Sequence, residues 1–312
     1  MCRNKLYYYI NYNIYMFYRR KILLAILESF NNDISNIDFQ KYLFLFTKLQ
    51  EKANAVPSYH FVPYQYGCFS FQSYYDKNTM VKYGLLEDHK NWRKKDNHQY
   101  FNDLTLTDKK LLNTLNEKYG SLKGDTLVKF VYQEYPYYAI NSKIANRLMS
   151  TDELKDINKL KPRASDTKLF TIGYEGLSIE EYANKLIKNN IKLLVDVRRN
   201  PISMKRGFSK GDLTKVLEKL NINYIHVPSL GIASAKRKTL NSFEDYKKLF
   251  KEYTIENLSN NSNDLDLLKS LLTKYKRIAL TCFEKDHEYC HRGAIIKFIQ
   301  ARPDWNFQVE NL

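Results

Sequence analysis

Near the end of the chain, within eleven residues, come two thiols, a carboxylate, an imidazole and a guanidinium: Cys282, Glu284, Cys290, His291 and Arg292. Three chemistries compete for this set. In the first, Cys282 or Cys290 is a nucleophile whose thiolate is stabilised by Arg292 and by the amino end of a following helix. In the second, Cys282, His287, Cys290 and His291 ligate zinc. Their spacing fits no common finger or ribbon, and adjacent residues rarely point at one tetrahedral ion, so the expectation is no metal and less than stoichiometric zinc. In the third, both cysteines are small buried side chains and Arg292 is paired to Asp196 or Glu284.

The elements around this segment must decide where it sits. Ile278 to Leu280 is an apolar run that reads as a strand, and Ile295, Ile296 and Ile299 follow at helical spacing. The whole second half alternates in this way. Strands are expected over 169–173, 191–197, 224–227 and 307–309, and helices over 211–220, between 243 and 275, and over 292–301. Ser178 and Glu181 form a capping box at the start of one more helix. Strands separated by helices of this length imply an α/β, doubly wound, mainly parallel sheet.

In such a sheet the loops leaving the carboxyl ends of the strands open on one crevice. Those loops carry Tyr174, Glu175 and Gly176; Asp196, Arg198, Arg199, Asn200 and Pro201; Pro228, Ser229, Leu230 and Gly231; and the cysteine segment. Glu175, Asp196 and Glu284 are a second constellation. Carboxylates sharing a partly buried crevice can split into an acid and a base, which suits hydrolysis or transfer at a glycosidic C–N bond. The rival reading has Asp196 held by Arg198 or Arg292 as a structural ion pair. Arg198, Arg199, Lys205, Arg206 and Arg292 are the third, a set that holds phosphates. The expected catalytic residues are Glu284, Cys282, Cys290, Glu175 and Asp196. The expected substrate contacts are Tyr174, Arg198, Arg199, Lys205, Arg206, Gly231, His291 and Arg292. The 201–210 segment is a candidate lid, and Ser209 is placed to cap the helix after it. No Walker motif and no G-x-G-x-x-G is present, which argues against an NTPase or a dinucleotide dehydrogenase, and no cofactor is expected.

The first half, 1–150, reads as a mostly helical, winged-helix-like domain. Helices are expected over 21–30, then from Asp38 as a cap with Tyr42, Leu43, Leu45, Phe46 and Leu49 as its apolar stripe. A strand and turn over 59–67 precede a third helix, capped by Ser70 and closed by Gly84, and two further helices cover 104–119 and 127–138. This rhythm puts Gln72, Ser73, Lys77 and Asn78 of the third helix at a nucleic-acid groove. Residues 151–166 are polar, carry Pro162 and read as a linker with one short helix; 167–312 is the α/β domain.

The net charge of +16 with a pI near 9.4 favours a polyanionic partner, DNA or RNA. Residues 201–250 hold ten basic and four acidic side chains, Lys205-Arg206 and Lys236-Arg237-Lys238 among them. Four cysteines without paired spacing point to a reducing cytoplasm. No stretch approaches the ~18 apolar residues of a membrane span, and residues 6–18 lack a clean signal-peptide core.

Two resemblances add to this. Thr171-Ile172-Gly173-Tyr174-Glu175-Gly176, Leu194-Val195-Asp196-Val197-Arg198-Arg199-Asn200-Pro201, Phe208-Ser209, Pro228-x-Leu230-Gly231, Cys282-x-Glu284 and Cys290-His291-Arg292 occur in order. This set resembles the bacterial domain-of-unknown-function family DUF488 over about residues 167 to 312. The resemblance implies a compact α/β domain with these motifs at the sheet edge, and no established reaction. Phe61 to Ser70, of the form Phe-x-Pro-Tyr-x-Tyr-Gly-x-Phe-Ser, resembles a segment in helical N-terminal regions of bacterial proteins from toxin–antitoxin and defence neighbourhoods. The expected function is therefore a nucleic-acid-binding protein that processes a nucleotide or modified base, as a hydrolase or transferase, in phage defence. The alternatives are a non-catalytic nucleic-acid-binding or ligand-sensing module, and thiol chemistry on a small molecule such as sulfur transfer.

Overall fold

The computed structural model describes residues 16–233, 236 and 242–312. The chain forms two compact units, one ending at Lys161 and one beginning at Pro162. Arg237 and Lys238 of the basic run, Cys2, and residues 6–15 lie outside the described residues.

The first unit runs α1 (Tyr18–Ser29), β1 (Asp33–Ile34), α2 (Asn36–Lys52), β2 (Val62–Tyr64), β3 (Gly67–Phe69), α3 (Phe71–Lys82), β4 (Trp92–Arg93), α4 (Leu106–Tyr119), α5 (Gly124–Glu134), α6 (Ala145–Leu148) and α7 (Thr151–Lys159). Residues Ile22 to Leu27 are all buried, so α1 is enclosed on every side rather than amphipathic. Aromatics fill the gaps between helices: Phe39 stacks on Trp92 at 3.8 Å and Phe30 on Tyr42 at 3.9 Å. The strands are short antiparallel pairs, β1 with β4 and β2 with β3.

Two sequence expectations change here, and the short helix expected after residue 150 is found. The cap of α2 is Ser35, whose hydroxyl accepts from Asp38 N; Asp38 sits inside the first turn and accepts from Gly124 N instead. Ser70 does cap α3, and of the four residues expected at a groove Asn78 is exposed and Gln72 half-buried, while Ser73 and Lys77 are buried. Ser73 is fully buried and bonded to Gln40 and Ser70, and Lys77 donates to the carbonyls of His89, Lys90 and Asn91. A buried ammonium must spend its donors on the nearest carbonyls. The polar segment after 150 begins as the expected short helix, α7, opened by a Ser150–Glu153 capping box and seated by buried Ile157. Only the stretch from Leu160 to β5 lacks helix and strand.

Asp76 anchors this unit. Its carboxylate accepts from Arg19 at 2.7 Å, Arg20 at 2.6 Å and Tyr59 at 3.1 Å. Burial pushes its pKa up, but the two guanidiniums outweigh burial and hold it below the ordinary value. A depressed folded pKa means stability that is present above the unfolded value and lost as pH falls through the folded one. The first unit is therefore expected to lose stability below about pH 4, and Asp76→Asn to flatten that acid limb. Denaturant midpoints of both proteins across this range check it; parallel pH profiles would refute it.

The second unit is β5 (Lys168–Gly173), α8 (Ile179–Lys188), β6 (Leu193–Asp196), α9 (Lys210–Lys219), β7 (Asn223–His226), α10 (Phe243–Tyr253), α11 (Ser262–Tyr275), β8 (Arg277–Cys282), α12 (His291–Gln300) and β9 (Gln308–Asn311). The five strands form one parallel sheet in the order β7-β6-β8-β5-β9. Leu193, Val195, Ile278 and Leu280 share one core with apolar side chains of α10, α11 and α12. On the other side Tyr182 of α8 donates to Thr281 Oγ1 at 2.8 Å. A sheet covered on both faces explains why β6 and β8 are buried along their whole length. The Ser178–Glu181 capping box starts α8 as expected. With β8 between β5 and β6, its carboxyl end is the middle of the crevice edge, and Cys282 is its last residue.

Candidate functional site

The loop from Phe283 to Cys290 folds back over the end of β5. Phe283 O accepts from Tyr174 N at 3.1 Å and Glu175 N at 2.9 Å. Glu175 Oε2 accepts from Lys285 N at 3.0 Å. The close approach depends on Gly173, because a Cβ there would lie 1.8 Å from Glu284 O. Glu175 thus ties down the cysteine loop, which is a different task from the catalytic one its position suggested.

This fold-back brings Cys282 beside the start of α12. His291 Nδ1 lies 3.7 Å from Cys282 Sγ and 3.8 Å from Cys290 Sγ. The sequence argument that adjacent Cys290 and His291 point apart does not hold. Cys290 is the extended N-cap residue and His291 the first helical one, so the backbone turns between them and both side chains meet Cys282. His287, the other candidate zinc ligand, lies outside this cluster, its Nδ1 3.2 Å from Asn311 Nδ2.

His291 Nε2 is 2.9 Å from the Val197 carbonyl and donates to it, since a carbonyl only accepts. Nδ1 faces the two thiols. The Cys282 thiol donates to Glu284 Oε2 at 3.1 Å. Burial, with Cys282 adding to it, pushes the Cys290 thiol pKa well above its ordinary value. Arg292, 1% exposed, donates through Nε to Cys290 Sγ at 3.3 Å and through Nη2 to Glu284 O at 2.6 Å. It braces the loop from inside and is not among the residues lining the cleft, so it is not the substrate anchor expected of it.

Asp196 is also structural. It is fully buried and accepts four hydrogen bonds, from Arg198 N, Nε and Nη2 and from Tyr224 Oη. The Arg198 fork is completed by Nη1, which donates to Tyr174 Oη and Phe208 O, both at 2.9 Å. Burial lowers the Arg198 pKa, but Asp196 outweighs it and the net shift is upward. Burial and Asp196 together raise Tyr224. Of the two residues expected to act on substrate, Asp196 has no lone pair left for it and Arg198 is committed to this network.

The cleft itself is a cavity of about 480 Å³ lined by Tyr174, Arg198, Arg199, Asn200, Lys205, Cys282 and Phe283, with Ile202, Ser203, Met204 and Ile232 at its sides. Tyr174 stacks on Phe208 at 4.3 Å and meets Phe283 edge-on at 5.3 Å. Phe283, Ile202 and Met204 are exposed apolar side chains. Lys205 Nζ donates to Tyr174 O at 3.0 Å, and its pKa is lowered by burial against the pull of Glu181 and Glu175. Arg199 is exposed, with Nη1 3.3 Å from Pro228 O. Arg206 is exposed and outside the cleft lining.

Gly231 serves packing: a Cβ there would come 2.2 Å from Arg199 N. Ser209 stands at the N-cap of α9 but bonds Ser203, fixing the 201–210 segment rather than the helix. Asn200 and Phe208, named in the sequence only as loop and motif residues, belong to the site, and so does Tyr224. Tyr224 had no sequence signal, because its role arises only from the pairing of β6 with β7.

Residues 178–299, within the second unit, match the family model described as Domain of unknown function DUF488. No curated protein and no solved structure matches the chain. Among the described residues no helix is long and apolar enough to cross a membrane.

Proposed function

From a second unit that carries the DUF488 match, we propose that the protein binds nucleic acid and processes a nucleotide or modified base, as a hydrolase or transferase, in the cleft at the carboxyl edge of the sheet. The observation that carries this is the composition of one cavity. Its reactive end is Cys282, bonded to Glu284 and beside His291. Its rim is cationic and aromatic, with Arg199, Lys205, Tyr174 and Phe283. Guanidinium and ammonium groups hold phosphates, and an exposed ring such as Phe283 stacks a base. Glu284 is the acid or base. The N-terminal resemblance to defence-associated proteins extends the reading to phage defence.

A specific observation favours the binding-module alternative: the Asp196–Arg198 pair is satisfied internally, which removes one carboxylate from the reactive set.

The full chain is expected to bind single- or double-stranded DNA or RNA at about 50 mM salt, and to weaken about tenfold or more by about 200 mM, because released counterions dominate such contacts. Chromatography of the same mixtures is expected to show a released base, amine or phosphate. No binding to any of the four polymers at the lower salt would refute both readings. Binding without a product would leave the module.

A further inference from the structure

We propose that Cys282, Cys290 and His291 form a zinc site at the inner end of the cleft, three protein ligands with one position left for water or substrate. Their donor atoms, Sγ, Sγ and Nδ1, all lie within 4.8 Å of one another. Zinc bonds of about 2.3 Å to sulfur and about 2.0–2.1 Å to nitrogen, set tetrahedrally, put sulfur and nitrogen about 3.5 Å apart. The separations here are 3.7 and 3.8 Å, so closing on an ion needs only small side-chain shifts.

The surroundings are those a metal histidine has. Its other ring nitrogen donates to a backbone carbonyl, Val197 O at 2.9 Å, which orients the ring with Nδ1 toward the two sulfurs. Arg292 supplies a second feature. This buried guanidinium donates to Cys290 Sγ. A thiolate makes that contact a charge-assisted hydrogen bond, whereas a neutral thiol is a weak acceptor. Two thiolates and an imidazole favour zinc over hard cations that prefer oxygen. On binding, two S–H bonds break, two S–Zn bonds form and two protons leave to solvent.

Resting on the nucleotide reading of the cleft, the site also names a reaction class, metal-assisted hydrolysis of a C–N bond. Cys282 is the ligand that lines the cleft, and Glu284 Oε2 is 3.1 Å from its sulfur. The oxygen of an activated water bonds the substrate carbon, Glu284 takes the water's proton, the C–N bond breaks, and that proton passes to the leaving nitrogen.

The test uses the full chain, reduced and purified without chelator, with zinc measured by elemental analysis and the thiols mapped by alkylation. About one zinc per chain is expected. Chelator should make Cys282 and Cys290 alkylate, and added zinc should protect them again; this arm needs no variant. Cys282→Ser and His291→Ala should lose most of the zinc, while Cys68→Ser, in the other unit, should keep it. Reduced protein that takes up less than about a tenth of an equivalent overturns the proposal, as does a Cys282–Cys290 disulfide in protein that binds no metal once reduced. Nucleotide processing that survives complete zinc removal sinks the zinc site and leaves the proposed function. Tight zinc with no nucleotide product does the reverse.

Discussion

Arg198→Ala is expected to destabilise the second unit by about 3–5 kcal/mol, the cost of leaving a buried charge without its partner. Asp196 has no exposed surface, and the Arg198 side chain supplies two of its four hydrogen bonds and its ion-pair partner. The same side chain also ties Tyr174 and the 201–210 segment to the sheet through Tyr174 Oη and Phe208 O. Removal therefore loosens the wall of the cleft as well as its base. Arg198→Lys should recover little, because one ammonium cannot reproduce a fork that meets both carboxylate oxygens and two further acceptors. Tyr224→Phe, which removes one hydrogen bond of four, should cost only about 1 kcal/mol. Denaturant titration of the four proteins checks the ordering. A loss below about 1 kcal/mol for Arg198→Ala would show that the pair is not a structural clamp.

Much of this unit was legible in the chain. The parallel sheet follows from strands and helices that alternate at the right lengths, and the capping box of Ser178 and Glu181 marks a helix start by local chemistry alone. The loops at the carboxyl edge follow from the fold class, which brings Cys282, Tyr174 and Lys205 to one cleft. What failed was direction. Arg292 belongs to the correct loop but points into the protein, and of the two readings of Asp196 the structure bears out the ion pair with Arg198; nothing in a linear pattern says which way a side chain at a strand end turns. Cys290 and His291 converge because the backbone changes from extended to helical between them, a geometric fact that spacing rules for zinc fingers do not contain. In the first unit, α3 was read as a polar face from residue type, yet Ser73 and Lys77 are consumed by nearby carbonyls, a hydroxyl and an amide.

Glu284→Gln is expected to lower turnover about 10²–10⁴-fold, the usual worth of a positioned acid or base, while leaving the melting temperature close to that of the parent. The two effects separate because Glu284 holds the loop with its backbone and reaches the thiol with its side chain. Its carbonyl accepts from Arg292 and rests over Gly173; its Oε2 accepts from Cys282. A carboxamide of the same shape leaves the first set intact and cannot take up a proton. The loss should fall on kcat more than on KM. Arg292→Ala should behave in the opposite way, melting early, since the internal brace of the loop is gone and the start of α12 loses its contact with Cys290. Glu284→Gln protein that folds stably and turns over at the parent rate would remove catalysis by this carboxylate and make the cleft a binding site.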